Sequence, residues 1–296
     1  MKKVNRNNIG NDKVFQPTAS IIIPAYNEGK VIKQCLDLLL REANPGEFDI
    51  VVVCNGCTDN TETIAREYGA AVRVFSTDRP SKPAALNLGD KVAFTYPRVY
   101  LDSDLEVSTR AVRSLIKGLE SSKYAAIGYM DVDLRDRSWL ISSFYKLWML
   151  HPYLRDGKFG GVYALSQKGC KRRGPYPDLM GDDAFARNSF SPDQSVAVPS
   201  CRFLIFPPRT MMDLLRVRTR IYLGNYQLQG FENHTTQASN NVVASWLKAV
   251  VCSPLAWPGI PVYVLLNLIA KLNASRLHRK LSYQWLRDDS SRSRAF

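Results

Sequence analysis

The stretch Val99-Tyr100-Leu101-Asp102-Ser103-Asp104 joins a short apolar run to two carboxylates that are one residue apart. In an extended strand, residues i and i+2 face the same side, so Asp102 and Asp104 can point together beyond the strand's carboxyl end. Such a pair can hold a hard cation such as Mg²⁺ or Mn²⁺, which takes oxygen ligands and leaves positions for the phosphates of a substrate. An isolated acidic pair is more often solvated, so this interpretation depends on the rest of the chain.

Two similar junctions between apolar and polar residues precede the aspartates. Ser20-Ile21-Ile22-Ile23 ends in Pro24-Ala25-Tyr26-Asn27-Glu28, and Ile50-Val51-Val52-Val53 ends in the polar stretch 54–61. Continuous β-branched runs that alternate with helices predict an α/β fold with a parallel sheet covered on both faces. Because ligands of such sheets bind beyond the carboxyl ends of the strands, we expect the three polar clusters to meet at one site.

The segments that follow the first and third clusters have helical periodicity. Ser108 stands where an N-cap would precede the second helix. Apolar residues recur at i, i+3, i+4 and i+7 in both segments: Ile32, Cys35, Leu36 and Leu39, then Val112, Leu115, Ile116 and Leu119.

The amino-acid composition of the chain limits the classes of molecule that it is expected to bind. The 296 residues carry a net charge of +13, which favours an anionic partner such as nucleotide phosphates or an acidic membrane surface. Nucleic acid is the weaker alternative, because the chain contains no helix-turn-helix, RNP or zinc-finger pattern. The six cysteines are scattered, as expected for reduced thiols in the cytosol.

In this order, the motifs resemble those of the family 2 glycosyltransferases, which are nucleotide-sugar-dependent enzymes of the GT-A fold. The resemblance extends from about Ser20 to about Asn225. Besides the opening strand and the Asp102-Ser103-Asp104 motif, the matching stretches are Asn55–Thr61, Lys82–Gly89, Gly160–Leu165 and Gly181-Asp182-Asp183.

The resemblance implies a mixed, mainly parallel sheet and an inverting transferase that uses a nucleotide sugar, expected to be UDP-linked, with Mn²⁺ or Mg²⁺. It assigns Asp104 as the more direct metal ligand and places Asp102 nearer the ribose. The expected donor contacts in the matching motifs are Pro24, Ala25, Tyr26, Glu28, Asn55, Asp59, Lys82, Asn87, Asp102 and Asp104.

The Asp182-Asp183 pair stands where the family carries its acidic base. We expect Asp183 to be the catalytic base and Asp182 to support it. A structural alternative remains open, because an acid in the first turn of a helix is favourable without any catalytic role.

Two departures from the family pattern affect these expectations. Cys54-Asn55 replace a carboxylate that often binds the base, and the Gln-x-x-Arg-Trp motif of processive enzymes is absent. Arg216, Arg218 and Arg220 occupy that region instead, and arginine suits diphosphate. Residues two apart do not share a helix face, so we expect only one or two of them, Arg218 and Arg220 foremost, to face the site.

The aromatic segment Trp139–Leu150 is interpreted as a core helix or as an edge of the acceptor site. Farther on, residues 249–270 are almost wholly apolar but are interrupted by Pro254, Pro258 and Pro261. The chain from Lys271 onward is basic, and basic flanks stay cytoplasmic. This pattern favours a surface-lying or re-entrant helix pair at the cytoplasmic face of an anionic membrane; the alternative is a buried hairpin.

Together these features predict a flexible tail at 1–18, a GT-A domain at 19–242 and a membrane-docking segment at 243–296, of which residues 287–294 are expected to be disordered. The expected acceptor is a lipid-linked or growing surface glycan. Two other functions are considered. One is a sugar-1-phosphate nucleotidyltransferase, which would need a Gly-rich, Arg-containing loop after the first strand. The other is a silent nucleotide-sugar-binding membrane partner.

Overall fold

A computed structural model describes residues 16–119, 122–229, 240–280 and 290–292. The strands in these ranges are β1 Ala19–Ala25, β2 Phe48–Asn55, β3 Val72–Thr77, β4 Arg98–Leu101, β5 Glu106–Val107, β6 Ala125–Val132, β7 Lys158–Leu165 and β8 Ser195–Ile205. The α-helices are α1 Ile32–Leu40, α2 Thr61–Arg66, α3 Lys82–Val92, α4 Thr109–Gly118, α5 Trp139–Trp148, α6 Pro152–Arg155, α7 Gln167–Arg173, α8 Asp182–Asn188, α9 Met211–Leu228, α10 Asn240–Val251 and α11 Ile260–Arg279. Short 3₁₀ helices cover Gly69–Ala71, Pro192–Gln194 and Pro254–Gly259.

The strands form one mixed sheet in the order β3-β2-β1-β4-β7-β6-β8-β5. Strands β3, β2, β1 and β4 are parallel, with Ile22 opposite Val51 on one side and Tyr100 on the other. Strand β7 then runs antiparallel to β4. Every residue of β1, β2 and β4 is buried, which is why these strands are continuous apolar runs. The predicted α/β class with a mainly parallel sheet is confirmed.

Helices cover both faces of the sheet. Ile21 and Ile23 pack in the same core as Leu36 of α1, whereas Ile22 faces the other way and packs with Leu86 of α3. Burying each such side chain contributes about 1.5–3 kcal/mol. The predicted helix cap is present, since Ser108 accepts a hydrogen bond from the Ala111 N–H at 3.2 Å.

The C-terminal helices pack against α9 and α5. Helix α11 lies along α9 and contacts α5, and its Leu266 belongs to the same core as the sheet. Pro254 and Pro258 lie in the 3₁₀ helix between α10 and α11, and Pro261 stands in the first turn of α11, where proline is tolerated. Residues 254–279 are long and apolar enough to cross a membrane by length and composition, which is weak evidence by itself.

Candidate active site

The three strand-end clusters meet in a cavity of about 510 Å³. The parallel alignment of β1, β2 and β4 brings their carboxyl ends to one edge of the sheet, and α8 and α9 form the facing wall. The predicted site residues that line the cavity are Pro24, Tyr26, Glu28, Asn55, Lys82, Asp102, Asp104, Asp182, Asp183, Arg218 and Arg220.

Strand β7 positions the acidic residues of the cavity. The backbone N–H of Asp102 donates to the Gly161 carbonyl at 2.8 Å, which fixes Asp102 directly after β4. Gly160 has φ 122°, and a Cβ atom there would lie 2.4 Å from Oδ2 of Asp183. Only glycine combines this backbone with such a close approach, so the Gly160-Gly161 pair lets α8 bring Asp183 against the sheet.

Lys82, the first residue of α3, links two of the carboxylates. Its Nζ lies 2.8 Å from Asp102 and 2.9 Å from Asp182. Burial lowers the pKa of Lys82, but attraction by Asp102, then Asp182 and Asp183, outweighs it and raises the pKa well above 10.5. The amine is therefore charged, and Lys82 is a largely buried helix residue rather than a solvated loop residue.

Asp182 and Asp183 occupy the first turn of α8, with Gly181 at the N-cap. Asp182 is 6% exposed and paired with Lys82. Asp183 lines the cavity without an ion pair to any described residue. Burial raises the pKa of Asp183, Lys82 opposes this rise, and the like charge of Asp182 adds to it. A carboxylate with a raised pKa and an open side has the properties of a general base.

Asp104 is more exposed than Asp102, with 40% against 30% of the side chain accessible. It contacts Arg292, whose guanidinium lies 3.2 Å from Asp104 and 2.6 Å from Glu28. Sequence reasoning missed Arg292, because no local pattern connects the end of the chain with the strand ends. The expectation of disorder at 287–294 is wrong for residues 290–292; the rest of that stretch lies outside the described residues.

The acidic residues fit a cation that is shared with a substrate. Within the described ranges, no three His, Cys, Asp or Glu side chains cluster closely enough to hold a metal ion by themselves. Mg²⁺ characteristically binds through one or two carboxylates plus substrate phosphates. Asp104 and Asp102 therefore match a site that a nucleotide diphosphate completes.

Helix α9 divides the three arginines between the cavity and the surface. Arg216 is 53% exposed and pairs with Asp213 at 2.7 Å. Arg218 lines the cavity and donates to Oδ1 of Asn267 at 3.0 Å. Arg220 also lines the cavity, and burial followed by repulsion from Arg292 lowers its pKa.

Three predicted donor contacts lie outside the cavity lining and make other contacts. Ala25 is 1% exposed in the core. Asp59 accepts from the backbone N–H groups of Gly29 and Thr61, both at 3.0 Å. Asn87 exchanges two hydrogen bonds of 2.8 Å with the backbone of Tyr176. Asp59 and Asn87 therefore hold the loops that frame the site, and the structure does not bring these three residues to the cavity.

The cavity also has an aromatic lining. Helix α5 is both core and lining: Phe144 is 1% exposed in the core and also faces the cavity. The interpretation of the 139–150 segment as a core helix is confirmed, and an edge of the acceptor site stays a prediction. Aromatic side chains that line the cavity include Phe144, Tyr145, Trp148, Tyr153 and Phe159.

An α/β sheet whose acidic strand ends surround one cavity is the arrangement expected of a GT-A transferase. The family model described as glycosyl transferase family 2 matches residues 20–168, about half of the chain. The chain therefore belongs to this family. The expected resemblance is thus confirmed, and the nucleotidyltransferase alternative is set aside.

Relatives and solved structures agree with this assignment. The uncharacterized glycosyltransferase EpsJ of Bacillus subtilis is 30% identical over 115 residues, which cover 38% of this chain and only 33% of EpsJ. The fold is similar to that of the mannosyltransferase PcManGT from Pyrobaculum calidifontis in complex with GDP-Man and Mn²⁺, with TM-score 0.64, 17% identity and coverage of 91% and 89%. It also resembles glucosyl-3-phosphoglycerate synthase from Mycobacterium tuberculosis with Mn²⁺ and UDP, with TM-score 0.54, 22% identity and coverage of 71% and 79%.

Proposed function

We propose that the protein transfers a hexosyl or N-acetylhexosaminyl group, with inversion, from a UDP-sugar to a lipid-linked or growing surface glycan. One observation supports this above all others. A single cavity contains the Asp102–Asp104 pair on one wall and, on another, the carboxylate of Asp183, which forms no ion pair with the other described residues. Lys82 lies between Asp102 and Asp182. Sugar transfer needs these two functions close together: stabilisation of a leaving diphosphate and removal of a proton from an acceptor hydroxyl.

The donor half of the cavity suits a nucleoside diphosphate. Asn55 is 4% exposed, and its Oδ1 has no hydrogen-bond partner among the described residues. A buried acceptor without a partner is costly, and the imide N–H of uracil would satisfy it. Guanine offers a similar donor, so the donor panel below includes both bases.

Asp104, with Asp102, would hold Mn²⁺ or Mg²⁺ beside the diphosphate. When bound, the cation supplies Lewis acidity that neutralises the leaving group. Lys82 pairs with both Asp102 and Asp182 and so offsets part of the negative charge that the cavity concentrates. The remaining diphosphate charge faces Arg220 and Arg218, and arginine forks match phosphate oxygens.

Asp183 acts as the base in this proposal. Its carboxylate accepts the proton of the acceptor hydroxyl, whose oxygen bonds to the anomeric carbon as the bond to the diphosphate breaks. A single displacement of this kind inverts the anomeric carbon. Asp182 supports Asp183, since its ion pair with Lys82 holds the first turn of α8 in place.

The acceptor half of the cavity favours an acceptor that arrives from a membrane. Helix α5, which supplies its aromatic lining, packs directly against α11 and the preceding 3₁₀ helix. The outer side of that C-terminal unit is apolar and exposed, and we call it the apolar face. Its members include Leu255, Trp257, Val264, Leu265, Leu268 and Leu272, each at least half exposed.

We propose that residues 243–296 dock this apolar face on the cytoplasmic leaflet while residues 19–242 form the catalytic domain. Exposed apolar clusters of this kind mark interaction sites, and the basic chain after Lys271 adds attraction to anionic lipid. Among the aromatic residues of this segment, Trp257 is half exposed and suits a membrane interface, whereas Trp246 and Tyr263 pack inward beside Leu147 and Phe144.

A donor panel tests the proposed function. UDP- and GDP-linked hexoses and N-acetylhexosamines are assayed for nucleoside diphosphate release, with and without Mn²⁺ and with a polyprenyl-linked acceptor. We expect Mn²⁺-dependent release from a UDP-sugar that the acceptor accelerates. Donor binding without turnover for any donor would instead support the silent-partner alternative.

A further inference from the structure

Two of the last described residues of the chain, Ser291 and Arg292, line the cavity. Ser290 Oγ accepts from the backbone N–H of Arg209 at 2.9 Å, just before α9. Ser291 is 8% exposed and lines the cavity together with Arg292. The Arg292 side chain is 13% exposed and donates to Glu28 at 2.6 Å and to Asp104 at 3.2 Å. The C-terminal segment thus contacts the loop after β1, the end of β4 and the start of α9.

Arg292 lies between the carboxylates of Glu28 and Asp104 and lines the cavity together with a second arginine, Arg220. Its guanidinium and that of Arg220 are close enough for their repulsion to lower the pKa of Arg220, after the effect of burial. Two enclosed cations on one cavity repel each other, and a ligand with several negative charges relieves that repulsion. Each arginine presents a planar fork of donors that fits phosphate oxygens.

We propose that Arg292 is a donor-binding residue, which contacts the diphosphate of the nucleotide sugar together with Arg220, so that the end of the chain completes the donor site. This inference rests on the proposed function. Glu28 keeps one edge of the guanidinium in place. The other edge of the guanidinium contacts Asp104. When Asp104 binds a cation instead, this edge can donate to a phosphate oxygen of the diphosphate.

The test uses calorimetric binding of UDP, GDP and UMP to the full chain in the presence of Mn²⁺. Arg292→Gln keeps a long polar side chain but removes the charge. It should weaken binding of the nucleoside diphosphate by about tenfold or more, because charge-assisted bonds to phosphate are lost, and should change UMP affinity by less than about twofold. Arg292→Lys should recover part of the loss, since it keeps the charge but not the fork.

Arg110→Gln is the matched control, because Arg110 is 79% exposed and pairs with Glu42 away from the cavity. If wild type binds UDP and Arg292→Gln binds it equally well, the role of Arg292 is overturned while the proposed function stands. If Arg292→Gln binds UDP or Mn²⁺ more tightly, the residue blocks the site instead, and the inference is again overturned. A wild-type chain that binds neither UDP nor GDP would overturn both proposals.

Discussion

The ammonium group of Lys82 lies 2.9 Å from the Asp182 carboxylate and so joins the start of α3 to the start of α8 across the cavity. Because the same ammonium lies 2.8 Å from Asp102, it also ties Asp102 to the first turn of α8, which carries the candidate base Asp183. The three charged groups form an enclosed row, in which the carboxylates of Asp102 and Asp182 both pair with the central Lys82. Structure and chemistry of the site therefore depend on one side chain.

Replacing Lys82 should cost both stability and activity. Lys82→Gln leaves two largely buried carboxylates without their cation, and breaking a buried pair typically costs about 3–5 kcal/mol. We expect the free energy of unfolding, measured in urea, to fall by about 3 kcal/mol. Lys33→Gln is the control, since Lys33 is 66% exposed in a helical pair with Asp37 and should change stability by less than about 0.5 kcal/mol. Equal effects of the two substitutions would contradict the structural role of Lys82.

Replacing Asp104 should remove metal-dependent donor hydrolysis and leave the fold intact, because its side chain is 40% exposed and serves no core. Asp104→Ala is compared with Asp37→Ala, which removes a surface carboxylate on α1. The measurements are nucleoside diphosphate release at saturating donor and Mn²⁺, and thermal unfolding. An unchanged rate of release would rule out Asp104 as a metal ligand.

Exchanging the Asp183 carboxylate for an amide should separate binding from chemistry. Asp183→Asn keeps the shape of the side chain but removes the proton acceptor, so transfer should fall by roughly 10²-fold or more. Donor affinity by calorimetry should barely change. Asp182→Asn is measured for comparison, because it weakens the ion pair with Lys82 and leaves the carboxylate of Asp183 in place. Should Asp182→Asn be the damaging change and Asp183→Asn the mild one, the two roles are reversed.

The apolar face should hold the protein on membranes. Val264, Leu265 and Leu268 of α11 are 53–59% exposed, and burying an apolar side chain of this size contributes about 1.5–3 kcal/mol. The triple change to serine should shift the protein from the membrane fraction to the soluble fraction in vesicle sedimentation. Phe94→Ser, which changes an exposed aromatic residue between α3 and β4, should not. These substitutions test docking better than deletion does, because Leu266 of α11 belongs to the core.

The salt dependence of membrane binding separates the electrostatic contribution from the contribution of the apolar face. Attraction of basic residues to anionic lipid is screened by salt, whereas burial of the apolar face is not. High salt alone should therefore release only part of the protein from anionic vesicles, and the triple serine variant should be released completely. Complete release of wild type by salt would show that the attachment is purely electrostatic.

The amino-acid sequence alone determined the parallel half of the sheet and the place of the site. Strands β1, β2 and β4 are fully buried, and burial on both faces requires continuous apolar runs, which are visible in any single chain. The polar residues that follow them must then converge, because parallel strands end at the same edge. Asp102 and Asp104 could be singled out for this reason.

Only the tertiary structure decided which polar side chains face the cavity. Asn87 stands in a motif that predicts donor contact, yet its amide satisfies the backbone of Tyr176. Arg216 and Arg220 belong to one basic run, but the turn of α9 directs Arg216 to Asp213 at the surface and Arg220 to the cavity. Arg292 reaches Glu28 across 264 residues of chain. Local sequence records propensity and burial, whereas these contacts depend on how distant elements pack, and no local pattern contains that information.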